Sequence, residues 1–311
     1  MTAPPYPETQ AVDIPFVIGS RRIASVRRQL VPASFTLEDI LEQRAGPIDA
    51  VPAGGADGLR VMSAPVDRLD SIREKFAGYV MGGYAEYPRH FIRMDGSFED
   101  YLAGFSGKTR STLRRKQRKL EQELGGTLDI REYTDPDRIE RFFDIAVPLS
   151  RRTYQARLLD AGLPESPAAR RKTAEKAAAG DMRCYLLFAG EDPIAYLSLP
   201  VENRTLVYAH LGYDPDWARL SPGTVLQMVA LERLFAENRF SYFDFTEGDG
   251  AHKAMFGTDS VRCASFYLLR PSLANRSLLW SLTAFDNAVA ATKATAERIG
   301  AVSAARRILR A

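Results

Sequence analysis

The sequence predicts an α/β (α+β) protein, and three observations carry that prediction. Short runs with apolar residues at every second position alternate with stretches whose apolar residues recur at helical spacing. From Arg183 onward the order reads strand, strand, strand, loop, helix, strand, short helix, strand. The turns Gly190-Glu191-Asp192-Pro193 and Glu202-Asn203-Arg204 join the first three strands as an antiparallel meander.

Taken in order, residues 1–18 hold four of the 18 prolines and read as a loose leader. Ile23–Leu30 reads as a first strand. Ser34 or Thr36 caps a short helix to Arg44, with Glu38 and Asp39 at its positive end. Gly46–Gly58 reads as loop, and Leu59–Ser63, Tyr79–Tyr84 and His90–Met94 as strands. Ser97 and Asp100 form a variant capping box. A helix over Lys108–Glu123 ends at Gly125-Gly126. Leu128–Tyr133 is a strand and Pro136–Gln155 a helix that Pro148 kinks or ends. Pro164–Ala179 is a helix. Strands follow at Arg183–Ala189, Ile194–Pro200 and Thr205–Gly212. A helix over Pro222–Asn238, a strand over Phe240–Thr246, one or two turns over Ala251–Phe256 and a strand over Cys263–Arg270 complete the body. Ser272–Ala311 is an amphipathic tail with Leu278, Leu282, Phe285 and Val289 on one stripe and Ile299, Val302, Ile308 and Leu309 beyond. It docks on the body, pairs with a second copy or lies on a membrane surface, where Arg306, Arg307 and Arg310 suit anionic lipid.

The 311 residues suffice for one large domain or two small ones. A net charge of +3 is too small to point to nucleic acid. Cys184 and Cys263 sit in apolar runs and read as buried small hydrophobes, and with only three histidines no metal is expected. No basic region followed by an apolar core opens the chain, and no apolar run approaches the ~20 residues of a membrane span. The expected location is the cytoplasm, with peripheral contact at the inner face of the membrane as a further option.

Chemistry concentrates between Arg204 and Gly257. Ser221-Pro222-Gly223-Thr224 opens a helix: Pro222 wastes no donor at the first helical position, and Gly223 admits close approach of an anion. Asp244, Glu247, Asp249, His252 and Lys253 follow the next strand. Far upstream, Lys108, Arg110, Arg114, Arg115, Lys116, Arg118 and Lys119 stand on one helix with no acidic residue among them. That helix gains nothing from internal pairs, so it is either a solvated face or the seat of an anionic partner.

Three segments resemble the GNAT acyltransferase superfamily. They are Phe105-Ser106-Gly107-Lys108-Thr109-Arg110-Ser111-Thr112-Leu113-Arg114-Arg115, then Gly212-Tyr213-Asp214 with Ser221-Pro222-Gly223, and Phe243-Asp244-Phe245 leading through Gly248-Asp249 to Lys253 and Phe256-Gly257. Within it they look most like the cellulose-biosynthesis-associated acetyltransferases and, more distantly, the Fem-type transferases. The family's usual Tyr before the Lys is His252 here. The resemblance spans about Phe98–Arg270. It implies a GNAT fold with a central, mixed, mostly antiparallel sheet flanked by helices, and three regions: a degenerate GNAT-like half over 1–95, the acyltransferase domain over 96–270 and a helical tail over 271–311.

It also implies acyl-CoA as donor, without a metal, and a small-molecule or lipid amine as acceptor. Backbone N–H groups of the strand through Leu211 would polarise the thioester. Ser221, Pro222, Gly223 and Thr224 would hold the pyrophosphate, with Arg110 and Arg114 as further anion contacts. His210 is either a base or a hydrogen-bonded sheet histidine. Asp244, between two phenylalanines, is costly unless paired, and would orient His210 or bind the amine. Asp249 and Lys253 match the family motif and equally form an ion pair at helical spacing. His252 stands where an acid would serve. Long-chain sphingoid-like amines and sugar amines both fit as acceptors. A Fem-like transferase fed by aminoacyl-tRNA and a non-catalytic binding protein on the same fold are the alternatives. Acyl length and oligomeric state stay open.

Overall fold

The computed structural model describes residues 9–19, 21–48, 55–153, 162–248 and 250–298. The strands are β1 (Gln10–Ile18), β2 (Arg21–Ser34), β3 (Gly58–Pro65), β4 (Val80–Arg93), β5 (Asp129–Tyr133), β6 (Met182–Ala189), β7 (Asp192–Glu202), β8 (Thr205–Val207), β9 (His210–Tyr213), β10 (Tyr242–Asp244) and β11 (Asp259–Leu269). The helices are α1 (Leu37–Leu41), α2 (Leu69–Lys75), α3 (Phe98–Ala103), α4 (Gly107–Glu123), α5 (Pro136–Arg152), α6 (Pro167–Ala178), α7 (Pro222–Ala236), α8 (Ala251–Phe256) and α9 (Leu273–Arg298). The chain divides into two compact units, one from Pro88 to Val261 and one built from the chain on either side of it.

The central unit, Pro88–Val261, carries the GNAT-like segments. Its strands run in the order β4, β10, β8, β7, β6, β5, with β9 pairing β7. All these pairs are antiparallel except β10 with β8, which is the parallel return through α7. β6 is buried along nearly its whole length. Tyr185 and Leu187 join the core shared with α3, α4 and α7, whereas Cys184, Leu186 and Phe188 join the core with α5. This period-2 division explains why β6 reads as a continuous apolar run: helices cover both faces. Burial pushes the Cys184 thiol up to about 12, so it packs as an inert small hydrophobe.

Local signals place the helices. Ser97 and Asp100 close a reciprocal capping box on α3. Ser106, Asp135 and Ser166 cap α4, α5 and α6. Gly125 and Gly126, both at positive φ, end α4. Pro148 does not end α5, which continues to Arg152.

In the flanking unit, β1 and β2 form a hairpin, β2 runs parallel to β3, and β3 pairs antiparallel with β11. The expected loose leader is corrected here: from Gln10 the chain is strand. Its Pro15 is tolerated because β1 pairs only with β2 and sits at the sheet edge, where a missing N–H breaks no ladder. Thr36 caps α1 through a capping box with Asp39. The segments expected as two strands at Tyr79–Tyr84 and His90–Met94 are one, β4. The first half of α9 docks: Leu278, Leu279 and Leu282 pack with Ile14, Leu30 and Leu269, and Phe285 meets Phe16 edge-on. Ile299, Val302, Arg306, Arg307, Ile308, Leu309 and Arg310 lie outside the described residues.

Candidate active site

The site is built where a ladder stops. Tyr242–Asp244 pairs with Thr205–Val207, and the last bond runs from the Tyr208 N–H to the Asp244 carbonyl at 2.8 Å. The strand expected over Thr205–Gly212 is broken at this point. The Ala209 N–H turns back onto the Val207 carbonyl at 2.9 Å, and the chain resumes as β9 against β7 alone. The Phe245 N–H goes the other way, to the His90 carbonyl. β8–β9 and β10 therefore share no ladder beyond Tyr208 and Asp244. Among the described residues no strand pairs with the second edge of β9, whose backbone groups are left for something other than sheet.

Asp244 holds the point of divergence. Its Oδ1 accepts from Arg89 Nε at 3.1 Å and from the Thr246 N–H at 2.8 Å, and its Oδ2 accepts from Arg89 Nη2 at 2.5 Å. The two side chains are 1% and 8% exposed. The bidentate fork is what makes a carboxylate between Phe243 and Phe245 tolerable. The carboxylate is thus engaged by Arg89 on β4 and by its own turn.

α7 starts beside β9. Ser221 takes the left-handed conformation (φ 54°, ψ 48°) without a side-chain cap. The first helical bond is from the Val225 N–H to the Ser221 carbonyl, so the N–H groups of Gly223 and Thr224 precede the helical ladder. A Cβ on Gly223 would lie 2.9 Å from Leu211 Cδ2 and 3.1 Å from Tyr213 Cδ1, so the glycine lets helix and strand approach. Gly212 has a comparable role: a Cβ there would fall 2.4 Å from the Tyr196 ring, whose hydroxyl donates to Ser150 Oγ at 3.0 Å. Gly212→Ala is expected to cost about 1–3 kcal/mol by overpacking, measured by urea unfolding. An unchanged midpoint would mean that Tyr196 does not fix the position of β9.

His252 on α8 lies among aromatic rings, 4.7 Å from Phe256, 6.2 Å from Tyr208 and 6.5 Å from Phe245 between centroids. Its Nε2 is 2.7 Å from Gln227 Oε1 on α7. Burial first, then the ammonium groups of Lys116 and Lys253, push its pKa down to about 4. Burial also lowers that of His210 and raises that of the Tyr208 hydroxyl. At neutral pH the site thus holds two neutral imidazoles and a protonated phenol. The unfolded chain binds the His252 proton near pH 6.5, but the folded chain only near 4. Stability therefore falls as pH drops from about 6.5 towards about 4 and stops falling on this account below that. Urea midpoints at about pH 7 and about pH 4.5 should converge in His252→Gln relative to wild type. Equal losses in both proteins would contradict a buried neutral imidazole.

Of the other expected site residues, Lys253 Nζ donates to the Glu247 carbonyl at 2.5 Å, and Asp249 lies outside the described residues. Arg110, in the first turn of α4, fastens that helix to the turn before it, its Nη1 donating to the Ala103 and Phe105 carbonyls, whereas Arg114 is exposed. Arg89 and Gln227 were not singled out from sequence, and Lys116 only as one of the basic residues of its helix. The only sequence trace of Gln227 is a polar residue amid the apolar face Leu226, Met228, Ala230 and Leu231.

Residues 107–254 match the family model described as acetyltransferase (GNAT) domain. No curated protein sequence matches the chain. Among solved structures, FemX is similar at a TM-score of 0.50 and 12% identity over 85% of this chain and 89% of its own. L-PGS from Bacillus licheniformis is similar at 0.42 and 12%, over 71% of each chain. A GCN5-related N-acetyltransferase from Kribbella flavida is similar at 0.37 and 12%, over 70% of this chain and 71% of its own. At 12% identity the likeness to FemX is one of fold. The matched span covers α4 through most of α8, including the interrupted ladder, the opening of α7 and His252, and on that basis the chain carries an acyltransferase-type domain of the GNAT superfamily.

Proposed function

We propose that the protein is an N-acyltransferase that moves an acyl group from coenzyme A to an amine. The observation that carries this reading is the end of the β8–β10 ladder at Tyr208 and Asp244, with the open edge of β9 beside the free N–H groups of α7. Ser221–Thr224 would hold the pyrophosphate, and the bare helix start and Gly223 fit a close anion. A bound acyl-CoA supplies a thioester, whose C–S bond breaks as the amine forms a C–N bond to the same carbon. β9 N–H groups stabilise charge on the carbonyl oxygen. His252 takes the proton from the attacking nitrogen, whose acidity rises steeply once it bonds to the carbonyl carbon. An imidazole with a low pKa suffices for that. Tyr208, kept protonated by burial, donates a hydrogen bond to the departing sulfur.

The acceptor we favour is a lipid-like amine presented at an anionic membrane. In the central unit, Arg114, Arg115, Arg118 and Lys119 lie exposed on α4. In the flanking unit, Trp280 is 73% and Leu273 88% exposed on α9, and Ile18 and Ile23 are exposed near Arg21 and Arg22. Among the described residues no helix is long and apolar enough to cross a membrane. Vesicles containing phosphatidylglycerol should therefore sediment the protein at low salt and release it at high salt. No binding at either salt would remove the membrane acceptor while leaving the reaction in place.

The reaction itself is tested by a screen of acyl-CoA chain lengths against amines, reading free thiol, together with thermal melts. Coenzyme A should raise the melting temperature with occupancy. Activity that requires aminoacyl-tRNA and is abolished by nuclease would replace the donor. No shift and no thiol release with any donor would favour a binding protein.

A further inference from the structure

Gln227 is wholly buried, 0% exposed, on the apolar side of α7. Its Nε2 has no hydrogen-bond partner among the described residues. An amide buried with its donors unmet costs about 1–3 kcal/mol, and a methionine of similar volume would avoid that cost. Packing therefore does not explain a glutamine at this position. Its one hydrogen bond does, and that bond is to His252 Nε2 at 2.7 Å. The other imidazole nitrogen, Nδ1, makes no hydrogen bond among the described residues.

We propose that Gln227 is a positioning residue that fixes the tautomer of His252: Gln227 Oε1 accepts the Nε2 proton, and the Nδ1 lone pair is thereby presented to the site. With the carbonyl oxygen facing the ring, a bare Nε2 would set two lone pairs against each other at hydrogen-bond distance, which excludes the opposite tautomer. The charges around the ring keep a second proton off it. Lys116 from α4 and Lys253 from α8 are the cations close enough to act on it, and Tyr208, the titratable group beside it, stays neutral. Gln227 thus stands to His252 as the buried carboxylate stands to the histidine of a hydrolase triad, but without a charge, so it orients the ring without raising its basicity. The use of the Nδ1 lone pair as proton acceptor rests on the acyl-transfer reading; the tautomer does not.

Long-range proton–nitrogen correlation NMR at neutral pH decides the tautomer, with the His252 signals assigned by their loss in His252→Gln. The expected result is Nε2 protonated and Nδ1 bare in the wild type, and a mixture of tautomers in Gln227→Met. Gln227→Met should melt at the same or a higher temperature. With a donor and acceptor in hand, its kcat should fall on the order of 10- to 100-fold at an unchanged KM for the donor. Gln227→Glu keeps an acceptor oxygen: it should retain the Nε2–H tautomer and move the acid limb of the rate profile to higher pH. It also serves if the methionine variant fails to fold. An Nδ1–H tautomer in the wild type, or tautomer populations unmoved in Gln227→Met, would overturn the assignment whether or not acyl transfer is ever detected.

Discussion

Asp244→Ala should lower stability by about 3–5 kcal/mol, the penalty for leaving a buried guanidinium without its counter-charge. That is a large part of the ~5–15 kcal/mol margin of a typical domain. Arg89 and Asp244 are joined by two hydrogen bonds at the point where the β8–β10 ladder stops, and neither can reach bulk water without parting strands. The alanine would also leave the Thr246 N–H without its acceptor. The double variant Arg89→Met/Asp244→Leu removes both charges, so it should recover a large share of the loss, because the pair itself is worth far less than one half of it costs when stranded. Urea unfolding of the three proteins at neutral pH measures this. A loss below about 1 kcal/mol in Asp244→Ala would show that the pair behaves as an exposed one, and would return Asp244 to the residues available for the acceptor amine.

His252→Gln should leave the fold at neutral pH close to wild type yet reduce kcat roughly 100- to 10,000-fold, the range spanned by a single general base. The substitution keeps a polar group near Gln227 and Tyr208 but has no lone pair that accepts a proton at neutral pH. The KM for the donor should change little, because Ser221–Thr224 sits on α7 and not on α8. His210→Gln is the informative companion. His210 lies on β9 in register with Ser198, and burial keeps its imidazole neutral as well. If His210→Gln inactivates and His252→Gln does not, the proton acceptor is on the strand and the assignment of His252 fails.

Features encoded within a few residues were legible in the sequence. The capping pairs Thr36 with Asp39 and Ser97 with Asp100, the glycines after α4 and the span of α8 all follow from neighbours along the chain. The opening of α7 was legible for the same reason, since Pro222 and Gly223 announce it. The pattern of apolar runs was enough for the sheet of the central unit, but not for its interruption. Alternation through Tyr208 and His210 looks unbroken on paper, whereas the break is made by one backbone bond from Ala209 to Val207. β1 was hidden by Pro15 and the three prolines before it, which read together as a loose leader until the strand is seen at an edge. The partner of Asp244 is 155 positions away, so the need for a cation was legible and its identity was not. His252 and Gln227 are 25 apart on different helices, and only packing brings them together.

The open edge of β9 has a consequence for the life of the protein outside catalysis. Unpaired strand edges are the places where β-proteins add a foreign strand, and most proteins shield them with charge, proline or a bulge at the rim of the sheet. Here the unpaired edge is only four residues long, with β7 paired on its other side and α7 starting beside it. Four residues offer a foreign strand only a short ladder. The backbone donors that a substrate carbonyl would need thus sit on an edge too short to be a good template for polymerisation.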